Sequence, residues 1–313
     1  MLSYIAKRIL ATIPVMGMVA MIVFAILRLT PGDPAAIIAG DSATPEQLEQ
    51  IRHLMGLEKS IYIQFVLWLG QLLRGDLGAS LISGMPVAGM IADRIGPSLA
   101  LGTSTIVFTV IIAIPLGVIA AWRQGTLLDR AVMAFSVLGF SVPVFVTGYL
   151  MILFFSIHLG WFPVQGYKPP AAGFWPFLQR LVLPTLTLST IYIALIARIT
   201  RTSIIEVMGE DYIRTARAKG AQESAVLVRH ALRNAAVPVV TIIGIGIALL
   251  ISGVVVTESV FNLPGLGRLV VEAVLARDYP VIQGLILLFS FIYILINLVV
   301  DVLYTVLDPR IRY

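Results

Sequence analysis

The chain of 313 residues contains no cysteine. This excludes disulfide bonds, thiol nucleophiles and thiolate metal sites, and it leaves the redox compartment unreadable. Histidine is scarce as well, because His53, His158 and His230 stand alone without the two-histidine spacing of metal sites. We therefore expect neither a metal centre nor a cofactor in this chain.

Motifs for catalysis and for nucleotide binding are also missing. None of the lysines follows the glycine that a GxxxxGK[ST] phosphate loop requires, so the chain itself is not expected to bind ATP. No GxSxG motif is present, and no serine and histidine lie at a readable spacing. These absences argue against an enzyme.

Charge is low, and apolar residues dominate. Charged residues make up 12% of the chain, hydrophobic residues 58%, and the mean hydropathy is +0.96. A soluble domain has about 25% charged residues, so this composition places the chain in a membrane. Six apolar runs reach the ~20 residues that a helix needs to cross the bilayer: 9–29, 99–121, 131–157, 182–205, 237–258 and 281–306. The predicted fold is an all-α integral membrane protein with six transmembrane helices.

The distribution of charge predicts the orientation. With both termini on the cytoplasmic side, the inner segments hold 13 of the 22 basic residues and 7 of the 17 acidic residues. Because basic residues favour the cytoplasmic side, we expect both ends and the loop around 206–236 to face the cytoplasm. The positive charge is thus a topology signal and does not predict a nucleic-acid partner.

Prolines inside the spans suggest a shared path. Pro14, Pro115 and Pro143 interrupt three runs, and such breaks persist in lipid where neighbouring helices or a wet cavity satisfy the freed carbonyls. The candidate residues for lining a translocation path are Ser141, Pro143, Phe145 and Glu258. Packing is the alternative for the first three, and snorkelling or pairing with an arginine is the alternative for Glu258.

The segment 30–98 predicts a mostly helical outer cap between the first two spans. It begins with a rigid turn at 30–34, a helix is expected to start at Pro45 behind Thr44, and an amphipathic run from Tyr62 to Leu73 ends near Gly75. We accordingly divide the chain into 1–98, the first span with its cap, and 99–313, a five-helix core. Between the last two spans, a short helix over about 269–276 suggests re-entry at the interface, with a surface loop as the alternative.

The longest charged segment between apolar ones is 210–238, which we interpret as two short helices broken at Gly220. An apolar edge runs along each helix, and small residues and basic residues lie around these edges. Such a segment suits docking into a groove of another protein. A solvated basic loop that only fixes orientation is the alternative.

The whole chain resembles the permease subunits of bacterial ABC importers of the dipeptide, oligopeptide and nickel family. DYIRTARAKG (211–220) and VLVRHALRNAAVPVV (226–240) are similar to that family's form of the EAA loop. Further similar stretches include LTPGDPA (29–35), ARITRTS (197–203) and VFNLPGLGRLVVEAVLARDYPVIQG (260–284). Within the family, the sequence most resembles those of dipeptide and glutathione permeases.

This resemblance implies a type I importer permease fold and several partners. The loop would seat coupling helices in two separate ATPase subunits, which bind the ATP and Mg²⁺. A paralogous second permease subunit and an extracytoplasmic binding protein would complete the importer in the bacterial inner membrane. The coupling residues carried over are Asp211, Tyr212, Ala216, Arg217, Ala218, Lys219 and Gly220, although Thr215-Ala216-Arg217 departs from the nominal Glu-Ala-Ala.

Two other functions remain as alternatives. A nickel-chelate importer of the same family would keep the same architecture. A secondary transporter working alone would instead predict inverted repeats and acidic residues near the bilayer midplane, and neither is visible in the sequence.

Overall fold

A computed structural model describes residues 2–29, 35, 44–54 and 57–307. The regular structure of these residues is helical, apart from one isolated bridge between Ala79 and Pro86. The helices are α1 (Leu2–Leu29), α2 (Pro45–Leu54), α3 (Ile61–Leu73), α4 (Val87–Trp122), α5 (Leu127–Ser141), α6 (Val144–Met151, continued as a π-helix over Ile152–His158), α7 (Phe174–Met208), α8 (Asp211–Ala218), α9 (Glu223–Ala225, continued as a π-helix over Val226–Leu232), α10 (Ala236–Val260), α11 (Leu266–Leu275) and α12 (Tyr279–Leu307).

Five of these helices, α1, α4, α7, α10 and α12, are long and apolar enough to cross a membrane. The pair α5 and α6 makes a sixth candidate span, but it is bent by 105°. The predicted single run 131–157 is therefore two helices at a steep angle. Val142 adopts an extended conformation because the ring of the following Pro143 disfavours helical geometry at the residue before it.

The other predicted proline breaks do not interrupt their helices. Pro14 lies within α1, and Pro115 lies within α4, which continues for 36 residues. At 1.5 Å per residue α4 is about 54 Å long, well beyond the ~30 Å that the hydrocarbon core requires.

One compact unit comprises residues 96–268 and 295–307 of the described chain. Its central helix is α7, since 61% of the span window of α7 is buried against 28% for α4 and for α10. Glycine allows neighbouring helices of this unit to pack closely. A Cβ added to Gly139 would lie 2.9 Å from the Cβ of Ala194, and one added to Gly244 would lie 2.5 Å from the side chain of Val300.

The other compact unit comprises the described residues of 2–95 together with 269–294. Helix α2 begins at Pro45, as predicted, and α3 begins at Ile61, one residue before the predicted Tyr62. Gly75 follows α3 with a φ of +81°. The Asp278 carboxylate accepts hydrogen bonds from the Ser80 hydroxyl (2.5 Å) and from the Leu81 amide (3.0 Å). These bonds fix the turn after α3.

Three further predictions concern the turn at 30–34, the short helix at 269–276 and the division of the chain at 98/99. The predicted turn at 30–34 lies outside the described residues. The predicted short helix 269–276 is present as α11 and begins three residues earlier, at Leu266. The division at 98/99 stays a prediction.

Candidate functional site

The candidate coupling segment folds as the predicted helix pair, α8 and α9. The amide of Gly220 donates to the Arg217 carbonyl (2.9 Å), and the amide of Ala221 donates to the Ala216 carbonyl (3.2 Å). This pair of bonds is a Schellman motif, which places its closing residue in the left-handed region. Gly220 has a φ of +82°, so glycine ends α8 without the steric cost of a Cβ.

The apolar edges of both helices face the chain's own bundle. Ile213 of α8 and Val226 and Ala231 of α9 are completely buried. Members of the α9 edge pack in one cluster with residues from the ends of α4 and α7 and with Ala235: Ala121, Ile204, Leu227, Ala231 and Ala235. The sequence predicted that these apolar edges would bind another protein. In the structure they pack against the chain's own helices, and we call the cluster of Ala121, Ile204, Leu227, Ala231 and Ala235 the seat of the pair.

Two polar contacts hold α8 and α9 together. Arg217 donates to both Glu223 carboxylate oxygens, with Nη2–Oε1 at 2.6 Å and Nε–Oε2 at 3.1 Å. These hydrogen bonds lower the pKa of Glu223 below its usual value of 4.5. Asn234, two residues beyond the end of α9, donates from Nδ2 to the hydroxyl of Tyr212 in α8 at 2.9 Å. Both contacts lie at the surface, where an ion pair adds about 0–1 kcal/mol, so they set the geometry more than the stability.

The outward face of the pair is exposed on this chain. Asp211, Tyr212, Ala218, Lys219 and Gly220 are exposed there, while Ala216 is half-buried. The basic side chains Lys219, Arg229 and Arg233 make no ion pair within the described part of the chain. The face therefore combines a small-residue turn with positive charge.

A buried ion pair lies close to this seat, and the sequence reasoning missed it. Asp129 in the first turn of α5 accepts two hydrogen bonds from Arg201 of α7, one from Nε and one from Nη2 at 2.8 Å, and a third from the Gly125 amide at 2.9 Å. The two residues are 72 positions apart. No local pattern could reveal this contact.

The candidate path residues do not form one cluster. Ser141, Pro143 and Phe145 follow one another through the α5–α6 bend, and all three are exposed on this chain. The Ser141 hydroxyl donates to the Val137 carbonyl at 2.9 Å. Their role in the path stays a prediction.

Glu258 lies elsewhere and is completely buried. Its carboxylate accepts hydrogen bonds from the Ser98 hydroxyl (2.5 Å) and from the Arg268 amide (3.0 Å). A Cβ on Gly265 would lie 2.0 Å from Oε1, so glycine is needed for this approach. These contacts fix the segment 263–268 after α10, and a path role for Glu258 stays a prediction.

Comparison with known proteins identifies the family. Residues 113–313 match the binding-protein-dependent transport system inner membrane component, and residues 1–102 match the N-terminal part of such membrane components. A probable peptide ABC transporter permease of Sinorhizobium fredii is 52% identical, with 99% of each chain covered. The glutathione transport system permease of Escherichia coli K12 is 46% identical over the full length of both chains.

A solved structure supports the same fold. The chain superposes on a chain of the inward-facing MetNI methionine ABC transporter with a TM-score of 0.59 at 20% identity, covering 71% of this chain and 97% of the other. The predicted importer permease fold is thereby confirmed. The chain belongs to the binding-protein-dependent transport system inner membrane components, the multi-pass permease subunits of ABC importers.

Proposed function

We propose that this chain carries peptides across the bacterial inner membrane, driven by ATPase subunits that grip the outward face of α8 and α9. The observation that carries the proposal is the buried seat of the helix pair. Because Ile213, Val226 and Ala231 are enclosed by the chain's own residues, the pair cannot shift without moving its supports.

The seat joins the pair to the most enclosed helix of its unit. Ile204 of α7 is completely buried in the cluster with Leu227 and Ala231 of α9. A displacement of the pair by closing ATPase subunits would therefore be passed to α7 as a rigid-body movement. A bias of a few kcal/mol between two states is enough to exchange an inward-open for an outward-open path.

The partners follow from the same proposal. Two ATPase subunits would bind ATP and Mg²⁺, a paralogous second permease would supply the other half of the path, and an extracytoplasmic binding protein would deliver the cargo. Both termini of this chain would then lie in the cytoplasm. Peptides are the proposed cargo because the relatives reported above are named for peptide and glutathione transport.

A charge at the turn of the helix pair tests the proposal. Gly220→Glu places a carboxylate on the exposed turn, where no atom lies within 4 Å of an added Cβ. We expect the ATPase subunits to dissociate during purification and ATP-driven peptide uptake to be lost. Gly75→Glu is the matched control, since Gly75 has nearly the same φ (+81°) and equally open surroundings. If Gly220→Glu retains both the ATPase subunits and uptake, the docking assignment fails.

A further inference from the structure

Helix α3, which the sequence predicted as an amphipathic run, is apolar on its exposed face as well, and this is unusual for a helix in an outer cap. Its 13 residues, IYIQFVLWLGQLL, include no charged residue and only two polar ones, Gln64 and Gln71. Charged residues instead flank it on both sides, with Glu58 and Lys59 before it and Arg74 and Asp76 after it. The neighbouring cap helix α2, PEQLEQIRHL, is polar.

The apolar side chains of α3 cover two opposite faces. One face packs on α1, where the Phe24 ring lies 5.3 Å from Phe65 and 5.6 Å from Trp68 between ring centroids. The other face carries Tyr62 and Val66, which are 80% and 65% exposed. None of the 13 residues is buried. A helix that is apolar all round belongs inside a protein or in a membrane, and α3 is not inside this protein.

The length of α3 distinguishes between two ways of entering a membrane. Thirteen residues make a helix of about 20 Å, which is too short to cross a hydrocarbon core of about 30 Å. An apolar segment of 10–14 residues is more often a buried core helix, a re-entrant or interfacial segment, or part of a signal peptide, and α3 is not buried. Tyr and Trp favour that level because their rings are apolar and their polar tips stay wet.

Helix α3 packs on a candidate membrane span. The face that holds Phe65 and Trp68 contacts Phe24 of α1, a candidate span whose exposed side chains include Val15, Met18 and Met21. An apolar groove of about 780 Å³ is lined by residues of α1, α3, α4 and α12. Its walls are formed by apolar residues such as Met16, Leu69 and Leu287.

We propose that α3 lies in the surface of the bilayer as an interfacial helix, with the face of Ile63, Val66 and Leu67 among the acyl chains. The occupant of this face is lipid. The cap is therefore anchored to the membrane along α3, while α2 remains in water. This inference uses only membership of a membrane protein family and does not depend on the docking role of α8 and α9.

The absence of cysteine allows a direct test. A single cysteine at Val66 is labelled with a nitroxide in the assembled transporter, reconstituted in phosphatidylcholine–phosphatidylglycerol vesicles. Collision with oxygen, which concentrates in lipid, is compared with collision with a water-soluble nickel chelate. We expect oxygen to dominate at Val66, as at Met18→Cys of α1, and the nickel chelate to dominate at Glu49→Cys of α2.

Two outcomes would overturn the proposal. Preference for the nickel chelate at Val66 would place α3 in water, and exclusion of both reagents would mean that another protein covers it. Labels at Ile63 and Leu67 repeat the measurement should Val66→Cys not assemble. A second change, Val66→Lys with the label at Ile63, is expected to shift that label toward the nickel chelate, whereas Glu49→Lys should leave it unchanged.

Discussion

The Asp129–Arg201 pair gives the sharpest energetic prediction. Its side chains are only 5% and 18% exposed, and the arginine engages both carboxylate oxygens. Three variants test it: Asp129→Leu, Arg201→Met and the double variant. Each single change leaves one buried charge without its counter-ion, whereas the double change removes both charges.

The expected magnitudes differ in a characteristic way. Removing one member of a fully buried pair costs about 3–5 kcal/mol, because the remaining charge keeps its desolvation cost. Since Arg201 is partly exposed, we expect a smaller cost here, about 1–3 kcal/mol. At about 1.4 kcal/mol per tenfold, the ratio of folded to unfolded protein falls by about one to two orders of magnitude. Replacing both members by apolar side chains is often neutral. The double variant should therefore be more stable than either single variant.

Thermal unfolding of the purified transporter in detergent measures this order. We expect both single variants to unfold at clearly lower temperature than the native chain, with the double variant above both. Additive losses, with the double variant lowest, would refute the reasoning. Uptake by the double variant then reports whether the pair also serves transport, since it joins α5 to α7 close to the seat of α9.

Three further predictions concern glycine and pH. Gly267→Ala would bring a Cβ to 2.5 Å from a backbone atom of α10, so we expect the free energy of unfolding to fall by about 1–3 kcal/mol. The yield of folded transporter should be lower than for the control Gly89→Ala, whose Cβ meets no atom within 4 Å. At Gly220, with φ +82°, valine should strain the turn by about 1–2 kcal/mol and asparagine by less, so uptake should decrease from glycine to asparagine to valine. Because its partner Arg217 lowers the pKa of Glu223, that contact persists above the usual value of 4.5 and is lost only as the pH falls through the lowered folded value. The uptake profile of Glu223→Gln between pH 6 and 8 should therefore parallel that of the native chain, and a new titration there would contradict this.

Features encoded locally were predicted from the sequence. The start of α2 at Pro45, the end of α8 at Gly220 and the long apolar spans each depend on a few neighbouring residues. Glycine favours the end of a helix and proline favours its first position in most tertiary surroundings. For such features the tertiary structure only has to agree with the local preference.

Features that depend on distant residues could not be predicted. Pro14, Pro115 and Pro143 look alike as interruptions, yet only Pro143 lies at a bend of 105°, with Gly148 just beyond it in close contact with Val260. The direction of an apolar edge is equally ambiguous, since Ile213 could have faced a partner or the bundle. The partners of Glu258 are likewise invisible in sequence, because Ser98 lies 160 positions away.

The central claim is that the outward face of α8 and α9 is the surface that ATPase subunits cover. Labelling of a single cysteine at Ala218 by a membrane-impermeant maleimide tests it most directly, in inside-out vesicles with and without the ATPase subunits. We expect rapid labelling of the permease alone and strong protection when the ATPase subunits are present. Equal labelling in both cases, or labelling only from the opposite side of the membrane, would contradict the account.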